Sequence, residues 1–155
     1  MTQPAPSKPQ RFKLTLAYKG TRFKGWQIQG APQGKDVRTV QGCLEQAFGK
    51  ILGSSVRVQG AGRTDSGVHA LGQVAHVDIP ADKLSIDWQR ALNGLLPGDV
   101  SVVKLEPVLE DFHARFSSIG KVYTYSLWLS RRYVLPQRSH YVWVTGELDS
   151  SAMEQ

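Results

Sequence analysis

Cysteine is nearly absent from this sequence of 155 residues: the single thiol, Cys43, rules out any disulfide within the chain. Because Cys43 falls at an apolar helical position, we interpret it as a small buried hydrophobe in a reducing compartment. The chain also lacks any apolar run as long as a membrane span, and the polar, Pro-rich residues 1–10 contain no apolar segment typical of a signal peptide. We therefore expect a cytoplasmic protein without a membrane partner and with a disordered tail at 1–10.

Several familiar cofactor and nucleophile motifs are missing as well. Gly60 and Gly62 are not followed by the third glycine of a dinucleotide fingerprint, and the segment after them alternates like a strand where a helix would be needed. The stretch 30–36, GAPQGKD, is too short for a phosphate-binding loop, and Ser66 lies in DSG and not in a hydrolase GxSxG elbow. The four histidines are scattered, and one cysteine cannot complete a zinc site, so no metal is expected.

Acidic residues are scarce in the first third of the chain. Residues 1–50 hold nine Lys and Arg against two acids, whereas the remainder is nearly balanced. This asymmetry suggests a polyanionic partner, of which a phosphate backbone is the commonest. A basic face kept for solubility would give the same composition, so charge alone leaves both interpretations open.

Hydrophobic periodicity predicts a small α+β domain. Apolar residues from Val40 to Ile51 fall on one helical face, with Thr39 as N-cap and Gly53 as the stop, and a second helix is expected at about 86–96. Alternation predicts strands at 12–18, 55–60, 72–79, 100–105 and 120–130. The order β-α-β-β-α-β-β indicates a ferredoxin-like or RRM-like layer with extra strands, an antiparallel or mixed sheet with both helices on one face.

A long polar connection, residues 19–39, separates the first strand from the first helix. It contains four glycines and five basic residues, and a loop of this length inside a compact domain is usually functional or disordered. Phe23 and Trp26 stand among its cations, where aromatic rings could stack on bases while the cations meet phosphates. Both rings could equally pack against the hydrophobic core and anchor the connection there, and the sequence does not distinguish base stacking from core packing.

The stretch 60–69, GAGRTDSGVH, places a carboxylate among glycines at the end of an apolar-alternating run. Asp65 is either an Asx-turn residue or a working carboxylate pointing into a cleft. Arg63 lies two residues earlier, which in a strand puts both side chains on one face, and a cation there favours the ionised carboxylate. An ionised, shielded Asp can act as a nucleophile or a base.

Two further groups stand near the end of the predicted sheet. In KVYTYSLWL, Tyr123, Tyr125 and Leu127 share one face of the strand expected at 120–130, a spacing more typical of sheet packing than of function. In FHARF, His113 and Arg115 could bind phosphate or cap the edge of the core, and both interpretations stay open.

Five stretches, in order, resemble the TruA family of tRNA pseudouridine synthases. The RTDxGVHA core of the third is long and rare enough to exclude coincidence. The stretches are YKGTRFKGWQIQ (18–29), RTVQGCLEQA (38–47), GAGRTDSGVHALGQVAHVD (60–78), ALNGLLPGDVSV (91–102) and FHARFSSIGKVYTYSLW (112–128).

This resemblance implies an enzyme that isomerises uridine to pseudouridine in the anticodon stem-loop of tRNA, without cofactor or metal. It implies that Asp65 is the catalytic aspartate, that Arg63 helps to hold the extruded nucleotide, and that Tyr123 stacks on the target uracil. The remaining substrate-binding residues implied are Thr64, His69, Gln73 and Arg115, and the implied RNA-binding loop comprises Arg22, Phe23, Lys24, Trp26 and Gln27.

The resemblance also implies a partner half. Members of the family have two similar halves around a basic cleft and work as homodimers, so we expect residues 11–145 to form the N-terminal catalytic domain and 146–155 to begin a truncated link. We expect this chain to fold, to bind RNA weakly and to turn over poorly or not at all. The alternatives are a non-catalytic, RRM-like RNA-binding module, for which Asp65 would be dispensable, and a self-associating structural fragment.

Overall fold

The computed structural model of the protein describes residues 8–28 and 37–153. The chain divides into two compact units, one ending at Ile119 and one beginning at Gly120. The predicted domain 11–145 therefore spans both units, and its boundary near 145 stays a prediction. The predicted tail at 1–10 falls mostly outside the described residues, although Gln10 already belongs to the first strand.

A four-stranded antiparallel sheet forms the first unit. Its strands are β1 (Gln10–Tyr18), β2 (Gln59–Gly60), β3 (Ala70–Ile79) and β4 (Val100–Pro107), in the spatial order β2-β3-β1-β4. The central pair, β1 and β3, has Leu14 opposite Ala75 and Tyr18 opposite Ala70. This order is the one that a ferredoxin-like β-α-β-β-α-β chain adopts, and it confirms the predicted fold class.

Both helices of this unit begin and end where local chemistry requires. Helix α1 (Val40–Leu52) starts at Thr39, whose hydroxyl accepts from the Gly42 amide, and it ends at Gly53 in the left-handed conformation, as predicted. Helix α2 (Trp88–Leu95) starts at Asp87, whose carboxylate accepts from the Arg90 amide. Single 3₁₀ turns lie at Gly20–Arg22 and Ala81–Lys83.

One hydrophobic core joins the two helices to one face of the sheet. From β1 it takes Leu14, Leu16 and Tyr18, which are at most 5 % exposed. The helices contribute Phe48 and Trp88, whose ring centroids lie 5.3 Å apart. Because side chains of a strand alternate, the apolar residues of β1 fill this layer while its polar residues face away.

The predicted strand at 55–60 is only two residues long in the structure. Side chains of α1 replace its ladder: the Val58 amide donates to Glu45 Oε1 at 3.0 Å, and the Val58 carbonyl accepts from Gln41 Nε2 at 3.0 Å. Because side chains already satisfy the amide and the carbonyl of Val58, this residue would gain no hydrogen bonds if the strand were longer. This network instead anchors α1 to the residues that lead into β2.

The second unit contains little regular structure. Two-residue strands β5 (Leu127–Trp128) and β6 (Trp143–Val144) pair in parallel, and a single helical turn, α3 (Ser150–Met153), follows. The strand predicted over 120–130 is therefore wrong except at 127–128, where β6 supplies a partner of the same two-residue length.

Within the described residues, no helix combines the length and the apolar character that crossing a lipid bilayer would need.

Candidate active site

The candidate site is the connection between β2 and β3, residues 61–69, which we call the Asp65 loop. Its first residues continue the hairpin ladder: the Ala61 amide donates to the Val74 carbonyl at 2.7 Å. The Gln73 side chain then donates to the Gly62 carbonyl at 2.8 Å. The loop therefore leaves the sheet in a defined direction. Gln73 holds the loop backbone, and its contact with substrate stays a prediction.

A tight turn places Asp65 at the tip of this loop. The Val68 amide donates to the Asp65 carbonyl at 3.2 Å, and Gly67, the third residue of the turn, has φ of +83°. Such a φ is strained for a residue with a side chain, which explains the glycine. The amide that an Asx-turn at Asp65 would use, that of Gly67, donates to the Phe23 carbonyl, so the Asp65 carboxylate is not used as an Asx-turn acceptor.

The Asp65 loop rests on the backbone of residues 20–26. The Trp26 amide donates to the Thr64 carbonyl at 3.0 Å, on one side of Asp65. On the other side, the Phe23 carbonyl accepts from the Gly67 amide at 3.2 Å and from the Ser66 hydroxyl at 3.2 Å. The backbone is thus held immediately before and immediately after the carboxylate.

Gly20 allows the closest approach between these two segments. A Cβ at this position would lie 1.9 Å from the Val68 carbonyl oxygen, which is far inside van der Waals contact. The Gly20 amide also donates to His69 Nδ1 at 3.3 Å. His69, predicted to bind substrate, therefore helps to hold the Asp65 loop against Gly20.

The hydroxyl of Tyr18 supports the loop from the end of β1. Its oxygen lies 2.8 Å from the Thr64 hydroxyl, and the Tyr18 ring is 5 % exposed. Burial raises the pKa of the Tyr18 phenol, while hydrogen bonds to Thr64 and Gln73 act in the opposite direction. Two of the predicted substrate-binding residues, Thr64 and Gln73, are thus brought together beneath Asp65.

Asp65 and Arg63 both lie exposed to solvent. Residues 63–65 do not form a strand, so the shared strand face expected for the two side chains is absent, and no ion pair joins them across the described ranges. The influence of Arg63 on the carboxylate stays a prediction. A carboxylate presented on a fixed backbone and not engaged by the described side chains can accept a proton from a ligand or attack it. This is the property that a catalytic aspartate needs.

The burial of Phe23 and Trp26 corrects part of the predicted RNA-binding loop. They are 2 % and 3 % exposed and belong to the core, so their rings are not available for stacking on bases. Arg22 and Lys24 are exposed, and Gln27 is half-buried. The two buried rings therefore anchor this segment, while its two cations stay exposed; residues 29–36 of the connection 19–39 lie outside the described residues.

Asp99 is a site-supporting residue that the sequence analysis missed. Its carboxylate accepts from both terminal nitrogens of Arg38, at 2.6 and 2.9 Å, and its side chain is 6 % exposed. The hydrogen bond to Arg38 holds the pKa of Asp99 below its usual range. The two residues are 61 positions apart, so spacing along the chain could not have predicted their pairing. The only signal in the sequence was that the basic N-terminal third holds few acidic residues of its own.

Arg115 lies in a separate turn after β4. The His113 carbonyl accepts from the Ser117 amide at 2.7 Å, and His113 Nδ1 accepts from the Arg115 amide at 3.2 Å. The Arg115 guanidinium is exposed and lies 6.0 Å from the centre of the Phe116 ring. Among the described residues, no hydrogen bond or ion pair connects it to the Asp65 loop, and its role in binding stays a prediction.

Tyr123 belongs to the second unit, where it is 67 % exposed. No strand includes it, so the shared strand face predicted for Tyr123, Tyr125 and Leu127 is absent. Its stacking on a uracil stays a prediction.

No group of three or more His, Cys, Asp or Glu side chains within 8–28 and 37–153 is arranged to hold a metal ion.

Comparison with known proteins places the site in a family context. The profile of a family described as tRNA pseudouridine synthase matches residues 15–117, which include the Asp65 loop, the segment beneath it and the turn at 113–117. The matched residues all lie within the first unit.

Curated relatives align with most of the length of this chain. A tRNA pseudouridine synthase A from Maridesulfovibrio salexigens is 55 % identical over 146 residues, covering 94 % of this chain and 52 % of the relative. Those from Oleidesulfovibrio alaskensis and Geobacillus kaustophilus are 56 % and 44 % identical, over 93 % and 94 % of this chain and 53 % and 55 % of their own lengths. The chain thus spans about half the length of the curated relatives it matches.

Proposed function

Because this chain belongs to the tRNA pseudouridine synthase family, we propose that it carries the catalytic aspartate, Asp65, of an enzyme that converts uridine to pseudouridine in tRNA. The observation that carries this proposal is the Asp65 loop itself. Its backbone is held on both sides of Asp65 by residues 23 and 26, while the carboxylate stays exposed.

The proposed reaction rearranges one nucleotide without net addition or loss. The bond between uracil N1 and the sugar breaks, the base turns, and C5 bonds to the same sugar carbon; C5 gives up its proton and N1 gains one. Asp65 can attack the sugar or the ring, or remove a sugar proton. A fixed backbone serves each route, because a misplaced catalytic group slows reaction steeply.

The exposed cations around this loop suit an RNA substrate. Arg22 and Lys24 project from the segment that carries the Asp65 loop, and Arg63 lies within the loop itself. Such cations contribute affinity through phosphate contacts, and an exposed Arg beside the carboxylate can enter the stack when a nucleotide is flipped out. We propose the anticodon stem-loop as the target, Arg63 and Tyr123 as holders of the flipped nucleotide, a homodimer as the working assembly and the cytoplasm as its location.

An RRM-like binding module receives no support from the sheet. The two aromatic residues in its described strands, Phe12 and Tyr18, share the face that packs on the core. A sheet that binds RNA by stacking presents aromatic rings on its open face.

The test is release of tritium from C5 of uridine in unmodified tRNA, with protein in excess so that slow chemistry is visible. The chain is assayed alone and with the remaining half of the Maridesulfovibrio salexigens relative supplied in trans. We expect Asp65→Asn to abolish release while tRNA affinity stays within about twofold. Asp111→Asn, which removes another exposed carboxylate, is the matched control and retains release.

Release by Asp65→Asn at the parent rate, or no release by the parent in either mixture, contradicts the proposed function. Since the chain spans about half of its relatives, we expect poor turnover from the chain alone and a gain when the other half is added. Multiple rapid turnovers by the chain alone would contradict that expectation.

A further inference from the structure

Asp99 joins three separate segments of the first unit. Its carboxylate binds both terminal nitrogens of Arg38, which precedes α1, at 2.6 and 2.9 Å. Its backbone carbonyl accepts from the Lys19 amide at 2.9 Å, just after β1. A turn closed by the Val100 amide and the Pro97 carbonyl, at 2.9 Å, places Asp99 directly before β4. A carboxylate that is 6 % exposed and bound in this bidentate way is a rigid attachment point.

Arg38 contacts both Asp99 and the segment that contains Phe23. Its guanidinium carbon lies 4.1 Å from the centre of the Phe23 ring, a cation–π distance, and the ring is 2 % exposed. The Arg38 carbonyl also accepts from the Lys24 amide at 3.0 Å. Arg38 therefore holds the Phe23 segment through its side chain and through its backbone.

Phe23 in turn holds the residues that follow Asp65. Its carbonyl accepts from the Ser66 hydroxyl and from the Gly67 amide, both at 3.2 Å. A continuous set of contacts therefore runs from the Asp99 carboxylate through Arg38 and Phe23 to the turn that presents Asp65.

We propose that Asp99 is a positioning residue for Asp65, acting through Arg38 and Phe23 to hold the Asp65 loop in its reactive placement. This inference rests on the proposed function, because it assigns a support to the same carboxylate. Asp99 need not touch the substrate. Its contribution lies in keeping the backbone beneath Asp65 from opening.

Arg38 and Arg22 have different roles in this geometry: Arg38 supports the Asp65 loop, and Arg22 is exposed for RNA binding. Arg38 is 36 % exposed and makes two hydrogen bonds to Asp99, whereas Arg22 is 79 % exposed and approaches the same carboxylate with one nitrogen at 3.5 Å. A lysine cannot reproduce the bidentate and stacked geometry of Arg38, but it can replace Arg22 as a point charge. Arg38→Lys should therefore loosen the loop, and Arg22→Lys should not.

The first test measures amide hydrogen exchange by NMR in the chain and in Asp99→Asn, Arg38→Lys and Arg22→Lys. The reporters are the amides of Gly67 and Trp26, which bond across the interface between the two segments. Asp78→Asn is the matched control, because Asp78 also binds an arginine, Arg11, through two hydrogen bonds of 2.7 and 2.8 Å.

We expect exchange at Gly67 and Trp26 to accelerate about tenfold relative to the β1–β3 ladder amides in Asp99→Asn and Arg38→Lys. Arg22→Lys and Asp78→Asn should keep the parent ratio. An unchanged ratio in the first two variants, or a uniform acceleration of ladder and loop amides, overturns the proposal. Arg38→Lys keeps the inference testable if Asp99→Asn fails to fold.

The second test is the tritium-release assay under the same two conditions. We expect Asp99→Asn to lower the maximal single-turnover rate about tenfold, with the half-saturating protein concentration changed less than twofold, since it displaces the reacting group and leaves the RNA contacts. A raised half-saturating concentration with an unchanged maximal rate would mean that Asp99 serves binding and would overturn the proposal. Release that survives in Asp65→Asn would instead refute the proposed function, while the exchange result would still decide whether Asp99 holds the loop.

Discussion

The hydroxyl oxygens of Tyr18 and Thr64 lie 2.8 Å apart, so the last residue of β1 binds the residue that immediately precedes Asp65. β1 is central in its sheet, paired with β3 on one side and β4 on the other. The Asp65 loop is therefore tied to a strand that is paired on both sides. This arrangement places a solvent-exposed carboxylate on a support that is itself part of the core.

Removal of this hydrogen bond should weaken the support without disturbing the core. We predict that Tyr18→Phe lowers the free energy of unfolding by about 1 kcal/mol and slows tritium release several-fold, because the half-buried Thr64 hydroxyl loses its partner. Urea unfolding and the single-turnover assay measure the two effects. Tyr125→Phe, at a tyrosine that is 79 % exposed, is the control and should change neither. Parent-like behaviour of Tyr18→Phe would show that the hydrogen bond does not support the loop.

Gly60 permits Trp26 to pack under the end of β2. A Cβ at Gly60 would lie 2.5 Å from the Trp26 ring, which is 3 % exposed and surrounded by core. We predict that Gly60→Ala lowers the free energy of unfolding by about 1–3 kcal/mol, as overpacking does. Gly72→Ala is the matched control, because a Cβ there meets open space. Equal urea midpoints for the two variants would contradict this packing.

His76 is a buried imidazole held in its neutral form. It is 2 % exposed, its Nδ1 accepts from the Ala114 amide at 3.1 Å, and its Nε2 has no hydrogen-bond partner among the described residues. Burial, with the nearby charges of Arg11 and His113, lowers the pKa of His76 to about 4 in spite of the opposing effect of Asp78. Folding therefore excludes a proton that the unfolded chain binds below its ordinary pKa of about 6.5.

This shift predicts a loss of stability on acidification. Because the folded pKa is lowered, the contribution of His76 is complete above about pH 6.5 and is lost as the pH falls toward 4, by about 3 kcal/mol in total. His76→Asn retains an acceptor for the Ala114 amide but cannot titrate. Urea unfolding at several pH values should show the stability difference between the parent and His76→Asn shifting against the parent by that amount. Parallel pH profiles would show that His76 is not the group responsible.

The exposed cations of the segment beneath the loop should act on RNA affinity. We predict that Arg22→Gln and Lys24→Gln each weaken tRNA binding and each lower the slope of log affinity against log salt by about 1, because each removes one phosphate contact. Fluorescence anisotropy across a salt series measures both quantities. Arg90→Gln, at an exposed position on α2, is the control. A slope that stays at the parent value in the first two variants would remove these residues from the RNA interface.

Local patterns accounted for much of the fold. Alternation in β1 and the helical period of α1, with its Thr39 cap and Gly53 stop, were enough to locate both elements. The same reasoning failed at 55–60, where α1 side chains bind the backbone of Val58, and over most of 120–130. A strand requires a partner, and periodicity within one segment does not report whether a partner is present.

The sequence by itself determined the order of the elements, the basic character of the first third and the GAGRTDSGVH stretch that carries the family resemblance. Tertiary structure alone decided that Phe23 and Trp26 are core anchors and that Asp99 binds Arg38. The physical reason is separation along the chain. Side-chain periodicity reflects neighbours within a few residues, whereas a contact across 61 positions exists only once the sheet and helices have closed the loops between them.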